Sequence, residues 1–340
     1  MLNKAIINLK NLEENAKFIK SKLNGQKFFA VLKANGYGHG ATKCANILYP
    51  LVDGYCVCIL EEGLDLRLSG IDKEILILTK LSSEDVRKAV FYDFTITVST
   101  LKEIKVLEKE GKFQGKLVKV HIKYNTGMNR QGVDSEKELS LLLDYLKSCK
   151  FVKLTGFYSH LIEPSSKRIT KMQVSRFDSA LKMVKKFNKD ITVHLSSSGG
   201  FLKGLYYDMV RIGILLYGYS PFNSKIKGIL PVMSLKTYIV EERVIKEGDH
   251  LLYGKERVKG GRICLVRFGY ADGLFRKKSR GDIKNRCMDL SAISIKNNKN
   301  KKEFYILYKN AYYLAKKYDT IVYEILVNLS KRAEKVYIYD

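Results

Sequence analysis

Lys33 opens the segment Lys33-Ala34-Asn35-Gly36-Tyr37-Gly38-His39-Gly40, directly after the apolar run FFAVL from Phe28. A lysine closing a buried strand among apolar neighbours has its ammonium destabilised, which frees the amine as a nucleophile or Schiff-base former. Glycine at Gly36, Gly38 and Gly40 implies backbone pressed close to a ligand, because glycine lacks a side chain and tolerates unusual backbone angles. Ser197-Ser198-Gly199-Gly200 and Arg211-Ile212-Gly213-Ile214 each collect small residues and free backbone N–H groups, the make-up of a phosphate cup. An aldehyde-seeking lysine beside a phosphate cup points to a phosphorylated carbonyl cofactor, and pyridoxal 5'-phosphate is the candidate.

These residues need elements that bring them to one place. From residue 28 to about 218, short apolar runs alternate with longer amphipathic ones, the pattern of strands followed by helices around a parallel sheet. Eight runs stand out: FFAVLK from Phe28, YCVCIL from Tyr55, ILILT from Ile75, FTITVS from Phe94, LVKVHIK from Leu117, LTGFYSH from Leu154, ITVHLSS from Ile191 and DMVRIG from Asp208. The spacing predicts helices over Ser82–Ala89, Thr100–Glu110, Ser135–Leu146 and Gln173–Phe187, with Ser or Thr as the N-cap of the first three. The fold class is therefore α/β, a (β/α)8 TIM barrel, whose active site lies at the carboxyl ends of the strands. Lys33, Lys123, His160, Ser196 to Ser198 and Arg211 all fall at those ends. Any one alone reads as a satisfied structural polar group; five positions on one rim read as a site.

After Pro221 the strand-like runs from Met233 and Arg262 are separated by turns and not by helices, so a mostly antiparallel β domain follows the barrel. Residues 1–225 form the barrel and 226–340 the second domain on this reading. Thr320–Leu329 fits either a helix or a buried strand.

The 340 residues, 46% hydrophobic and 28% charged, describe a globular chain with ample core. The net charge of +26 is spread along helical stretches, as at Lys182, Lys185 and Lys186, and only Lys299 to Lys302 forms a run. It reads as a basic surface, with no nucleic acid expected as partner. Six cysteines show no C-x-x-C pair, and nothing approaches about 18 uninterrupted apolar residues or a secretion signal. A reduced, cytoplasmic protein without membrane spans or metal is the expectation.

Seven motifs then occur in the order and rough spacing of the bacterial alanine racemases. They are Lys33-Ala34-Asn35 with Tyr37-Gly38-His39-Gly40; Thr126-Gly127-Met128 with Arg130 and Gly132; Arg211 with Gly213-Ile214 and Leu216-Tyr217-Gly218; Tyr253-Gly254; Gly269-Tyr270-Ala271-Asp272-Gly273; Cys287-Met288-Asp289; and Tyr323-Glu324. The chain resembles that family over nearly its whole length. The resemblance implies a pyridoxal phosphate barrel with a C-terminal β domain, working as a homodimer whose partner subunit completes each active site. It implies interconversion of L- and D-alanine, a small-molecule amino acid substrate, and supply of D-alanine for peptidoglycan.

Position by position, the resemblance makes Lys33 the Schiff-base lysine and the base on the D-face, and Tyr253 the base on the L-face, supplied by the partner. Two bases on opposite faces are what racemisation requires. A phenol with a pKa of about 10 is a poor base at neutral pH, and His160 and Arg211 resemble the hydrogen-bond chain that assists it. Arg211 also resembles the donor to the cofactor's ring nitrogen; a guanidinium keeps its proton, which weakens the electron sink and favours racemisation over decarboxylation. Arg130 resembles the contact to the phenolic oxygen and the substrate carboxylate, with the backbone of Met288 assisting. Tyr37, Ser198, Gly213, Ile214 and Tyr323 match the phosphate shell, and Ser197 is a cofactor-binding candidate beside them. Lys123 corresponds to a lysine carbamylated in some members, whose charge braces the arginine seven residues on. His39, His121, His194 and His250 read as structural or surface residues. Asn125 departs from the family's usual Asp, Gly36 from Ala, Ser197 from Asn and Asn285 from Arg. The competing readings are a racemase of another amino acid such as serine or lysine, a basic binding protein on the same fold, and a decarboxylase of the same class.

Overall fold

A computed structural model describes residues 2–254, 257–276, 283–294 and 302–340. Of the lysine run 299–302, only Lys302 is among them. Nine strands precede residue 213: β1 (Lys4–Asn8), β2 (Lys27–Val31), β3 (Gly54–Val57), β4 (Glu74–Ile77), β5 (Thr95–Val98), β6 (Val118–Lys123), β7 (Val152–Tyr158), β8 (Thr192–His194) and β9 (Met209–Ile212).

Strands β2 to β9 are the eight apolar runs. They pair in parallel in the order β8-β7-β6-β5-β4-β3-β2-β9. The seam between β8 and β9 is bridged by Asp208 N to Val193 O and Arg211 N to Ser196 O, both 3.0 Å, which closes the barrel. Every residue of β3 and β5 is buried. That is why these strands read as continuous apolar runs without alternation.

Helices Ser83–Phe91, Leu101–Gln114 and Glu136–Leu146 start after Ser82, Thr100 and Ser135, whose hydroxyls accept from Asp85 N, Glu103 N and Glu138 N. Each such cap stabilises by about 1 kcal/mol. The fourth expected helix begins earlier, at Lys167, capped by Ser166. Gln173 is buried within it, and its amide accepts from Ile162 N at 2.8 Å and donates to Thr126 Oγ1 at 2.8 Å and His160 O at 3.0 Å. A polar residue read as a helix start instead ties two rim loops together.

The second sheet comprises, among the described residues, β10 (Met233–Ile245), β11 (Gly261–Val266), β12 (Ile283–Arg286), β13 (Ser291–Ser294), β14 (Glu303–Tyr308) and β15 (Glu334–Ile338), together with β1. All its pairs are antiparallel except β1 with β15. β1 therefore lies in this sheet, although the reading of the sequence counted residues 1–225 as barrel. Ala5 and Ile7 face the core and Lys4 and Ile6 are half-exposed; that alternation specifies a strand but not which sheet it joins.

Gly218 ends the barrel at φ +96°, where a Cβ would stand 2.3 Å from Leu230 O. Thr320–Leu329 resolves as a helix, Val322–Leu329, burying Val322, Ile325, Leu326 and Leu329. One apolar cluster runs from the barrel helices into this second unit. Among the described residues no helix is long and apolar enough to cross a membrane.

Candidate active site

The chain leaves β2 through Leu32 into a single left-handed turn. Ala34, Asn35, Gly36 and Tyr37 have φ of 52°, 52°, 61° and 51°, a conformation that disfavours each non-glycine residue by about 1–2 kcal/mol. Neighbouring groups hold the turn. Glu62 Oε1 accepts Ala34 N at 2.6 Å, Gly36 N reaches Leu32 O at 2.7 Å, and Gly40 N and Ala41 N reach Asn35 O and Oδ1 at 2.9 and 2.8 Å.

The three glycines here do not press against a ligand site, contrary to the expectation from sequence. A Cβ on Gly38 would lie 2.1 Å from Ser330 Oγ, and one on Gly40 2.0 Å from Tyr337 Oη. Gly36 abuts Ala41 and Tyr217. The glycines let the C-terminal unit pack onto the lysine turn.

Lys33 lines a cavity of about 790 Å³ at the carboxyl ends of the strands, within the range of small-molecule sites. Lys123, Arg130, His160 and Arg211 line it as well, and so do Tyr37, Ser197, Ser198, Gly213, Ile214 and Tyr323. Tyr323 arrives on helix Val322–Leu329. Tyr253 and Met288 are not part of this cavity. They sit in loops of the second sheet, 81% and 54% exposed.

Arg211 is buried, donating through Nη1 to His194 Nδ1 and through Nη2 to Ser159 O at 2.8 Å, with its guanidinium 4.9 Å from the Tyr158 ring centre. Burial, reinforced by Arg211 and Arg130, holds His160 neutral, well below the ordinary imidazole range. Lys123 donates to Gln131 Oε1 at 3.2 Å; burial and the charges of Arg130 and Arg211 bring its ammonium down to about 8.

At another wall of the cavity, Ser198 Oγ accepts from Gly213 N at 3.2 Å and Leu215 N at 3.4 Å. A Cβ on Gly213 would lie 2.6 Å from Tyr37 Oη, so glycine makes room for that phenol. Burial raises the Tyr37 pKa and takes Tyr323 to about 12, which leaves both as neutral donors. Arg130 sits on a loop organised by Asn125. Its Oδ1 accepts Gly127 N at 3.0 Å and Asn129 N at 3.1 Å, and its Nδ2 donates to Asn129 Oδ1 at 2.9 Å and Asp134 Oδ1 at 2.6 Å. The departure from Asp therefore has a reason: the amide gives Asp134 a donor.

Reading the sequence missed several residues here. Glu62 is one; Tyr158, which lines the cavity and stacks on His194 at 4.6 Å, is another. His194 and His121 are buried one layer below the cavity, and His194 meets Arg211 directly. A signal was present. His121, Tyr158 and His194 each precede a rim residue, Lys123, His160 or Ser196, by two positions, which places them on the same strand face one layer deeper.

Fold and site together define a barrel isomerase of the racemase class. The family model described as "Alanine racemase, N-terminal domain" matches residues 7–221, and "Alanine racemase, C-terminal domain" matches 232–337. The chain belongs to the alanine racemase family. An alanine racemase of Aquifex aeolicus is 31% identical over 97% of both chains, and one of Streptococcus pyogenes is 36% identical over 80% of this chain and 76% of its own. Among solved structures, the alanine racemase of Clostridium difficile 630 superposes with a TM-score of 0.92 at 29% identity, covering 100% of this chain and 96% of its own. That of Bacillus anthracis with bound L-Ala-P gives 0.90 at 28% identity over 99% and 95%.

Proposed function

We propose that this enzyme interconverts L-alanine and D-alanine with pyridoxal 5'-phosphate held in the cavity beside Lys33, and that it works as a cytoplasmic homodimer supplying D-alanine for peptidoglycan. The convergence of Lys33, Arg130, Arg211 and the Ser198–Gly213 cup on one cavity carries the reading. The cavity suits the cofactor chemically: Arg130 and Arg211, whose guanidinium groups keep their charge, line it together with the Ser198–Gly213 cup, and among the described residues Glu324 is the single carboxylate in its lining, so a phosphate and a substrate carboxylate both find donors there. The room that Gly213 leaves for Tyr37 fits the same purpose.

When bound, pyridoxal 5'-phosphate supplies an aldehyde that captures an amino group and a ring that spreads the electron pair left at the α-carbon. Tyr37, Ser197, Ser198, Gly213, Ile214 and Tyr323, which line one cavity, would hold the phosphate. Arg211 would donate to the ring nitrogen, and because a guanidinium keeps its proton, it would leave that nitrogen unprotonated. Arg130 orients the substrate carboxylate, helped by the backbone of Met288. Lys33 takes or returns the proton on the D-face, and Tyr253 of the partner subunit does so on the L-face, with His160 and Arg211 assisting. The exposure of Tyr253 outside its own chain's cavity supports this sharing. Lys123, its pKa lowered to about 8, is in part the free amine near neutral pH, and that amine can add to carbon dioxide, forming an N–C bond and releasing a proton. The resulting anion braces Arg130.

Borohydride treatment of the purified enzyme, followed by peptide mass mapping, tests the core of the reading. The reduced cofactor is expected on Lys33; a label on another lysine refutes it. Lys33→Ala should lose the cofactor's visible absorbance, and Tyr253→Phe should keep it while losing conversion of L-alanine more than exchange on the D-face. The value of kcat/KM for L-alanine should exceed those for L-serine and L-lysine by about tenfold or more. An intact-mass shift of one carbon dioxide, lost in Lys123→Met, reports carbamylation.

A further inference from the structure

Behind Arg211 a line of polar side chains crosses the barrel from mouth to floor. Arg211 Nη1 meets His194 Nδ1, and His194 Nε2 lies 2.9 Å from His121 Nδ1. His121 Nε2 lies 3.9 Å from Glu74 Oε1, which also accepts from Thr95 Oγ1 at 2.8 Å. His121 and Glu74 border a second cavity of about 530 Å³ at the amino ends of the strands. Arg211, His194 and His121 are all buried.

The direction of every proton in this line follows from one residue. A guanidinium carries donors only, so His194 Nδ1 is the acceptor and the proton of that ring sits on Nε2. His121 Nδ1 must then accept, which puts its own proton on Nε2, toward Glu74. Two tautomers are set by the single donor-only group at the end.

The barrel is shaped to admit these rings. Gly156 of β7 lies beneath His121, where a Cβ would stand 2.4 Å from Cδ2. The pairing of β6 with β7 slips by one residue between Val120 and His121. Tyr158 lies flat on His194 with an interplanar angle of 6°. Burying two imidazoles in a barrel interior is unfavourable unless their nitrogens are paired, and here they pair with each other and with Arg211.

We infer that His194 and His121, backed by Glu74, are positioning residues that hold Arg211 in one orientation and fix its donors toward the cofactor cavity. The inference rests on the role of Arg211 proposed above. Protonating His121 would set two N–H groups against each other at the 2.9 Å contact, and protonating His194 would do the same at its contact with Arg211 Nη1. Burial, with the charge of Arg211, holds His121 at about 3 and His194 well below the ordinary range; Lys27 adds repulsion on His121 and Glu74 faces it with opposite charge. The two imidazoles therefore stay neutral at working pH.

Long-range proton–nitrogen correlation spectra of the ¹⁵N-histidine-labelled holoenzyme test this, with the five histidines assigned by single substitution. His121 and His194 should both carry the proton on Nε2, without titrating between about pH 6 and about pH 9. A proton on Nδ1 of either ring, or titration of either in that range, overturns the inference. Borohydride mapping of Lys33 is unaffected by this result, so a failure here is distinct from a failure of the cofactor assignment. His121→Leu should lower kcat about tenfold with KM nearly unchanged, while His121→Asn, whose Oδ1 can accept in place of Nδ1, should recover most of it. Gly156→Ala, which keeps both histidines but fills the space under His121, should reproduce the loss. Equal kcat in the Leu and Asn variants, or a loss confined to KM, refutes the positioning role. Should His121→Leu fail to fold, the tautomers of the native enzyme decide.

Discussion

The carboxylate of Glu62 accepts the backbone N–H of Ala34 at 2.6 Å, one residue beyond Lys33, while its other oxygen accepts Cys58 N at 2.7 Å. One side chain thus ties the left-handed lysine turn to the end of β3. Glu62→Ala should destabilise the enzyme by about 2 kcal/mol in urea unfolding, because hydrogen bonds to a charged acceptor are the stronger kind, and should lower kcat about tenfold as Lys33 loses its fixed position. Unchanged kcat in a destabilised Glu62→Ala enzyme would show that the turn holds without it.

Gly213→Ala sets a methyl group 2.6 Å from Tyr37 Oη. The phenol must move. Weakening of cofactor binding by about tenfold, read from absorbance titration, should follow, and Tyr37→Phe in the same chain should recover part of it. An equal loss in the double variant would place the strain elsewhere.

Asn125→Asp faces a carboxylate with that of Asp134 across a contact now 2.6 Å long. Both groups are partly solvated, so the expected loss of stability is modest, up to about 1 kcal/mol. The loop bearing Arg130 should loosen, raising KM for alanine more than it lowers kcat. Adding Asp134→Asn restores a donor and should reverse both effects; a double variant no better than the single one contradicts the account.

Acid should unfold the protein through its histidines. Burial is the chief cause that holds His39 at about 4, His121 at about 3, and His160 and His194 well below the ordinary value of 6.5. Above about pH 6.5 neither folded nor unfolded chain carries these protons, and stability is at its full value. Below it the unfolded chain takes them up and the fold does not, so stability drops as pH falls toward about 4. Denaturant unfolding should show a loss of at least about 2 kcal/mol between about pH 7 and about pH 5, smaller in His121→Asn. A flat profile would mean that these rings are already charged in the fold.

Local rules made much of this molecule legible. Strands buried on both faces must be apolar throughout and turn polar at their ends, so β2 to β9 and the rim positions Lys33, Lys123, His160 and Arg211 could be read in order. Ser82, Thr100 and Ser135 announced their helices because an N-cap bond spans only three residues. The family motifs carried the roles of residues that periodicity could not assign.

What the chain could not disclose by itself was who stands opposite whom. The placement of β1 in the second sheet, the packing of Gly38 and Gly40 on Ser330 and Tyr337, and the helix that delivers Tyr323 to the barrel mouth all join residues hundreds of positions apart. The same holds for the line from Arg211 to Glu74, whose members lie on four separate strands and meet only when the barrel closes. Period and capping are properties of neighbours along the backbone; proximity across a closed sheet is a property of the packed whole, and only the tertiary structure decides it.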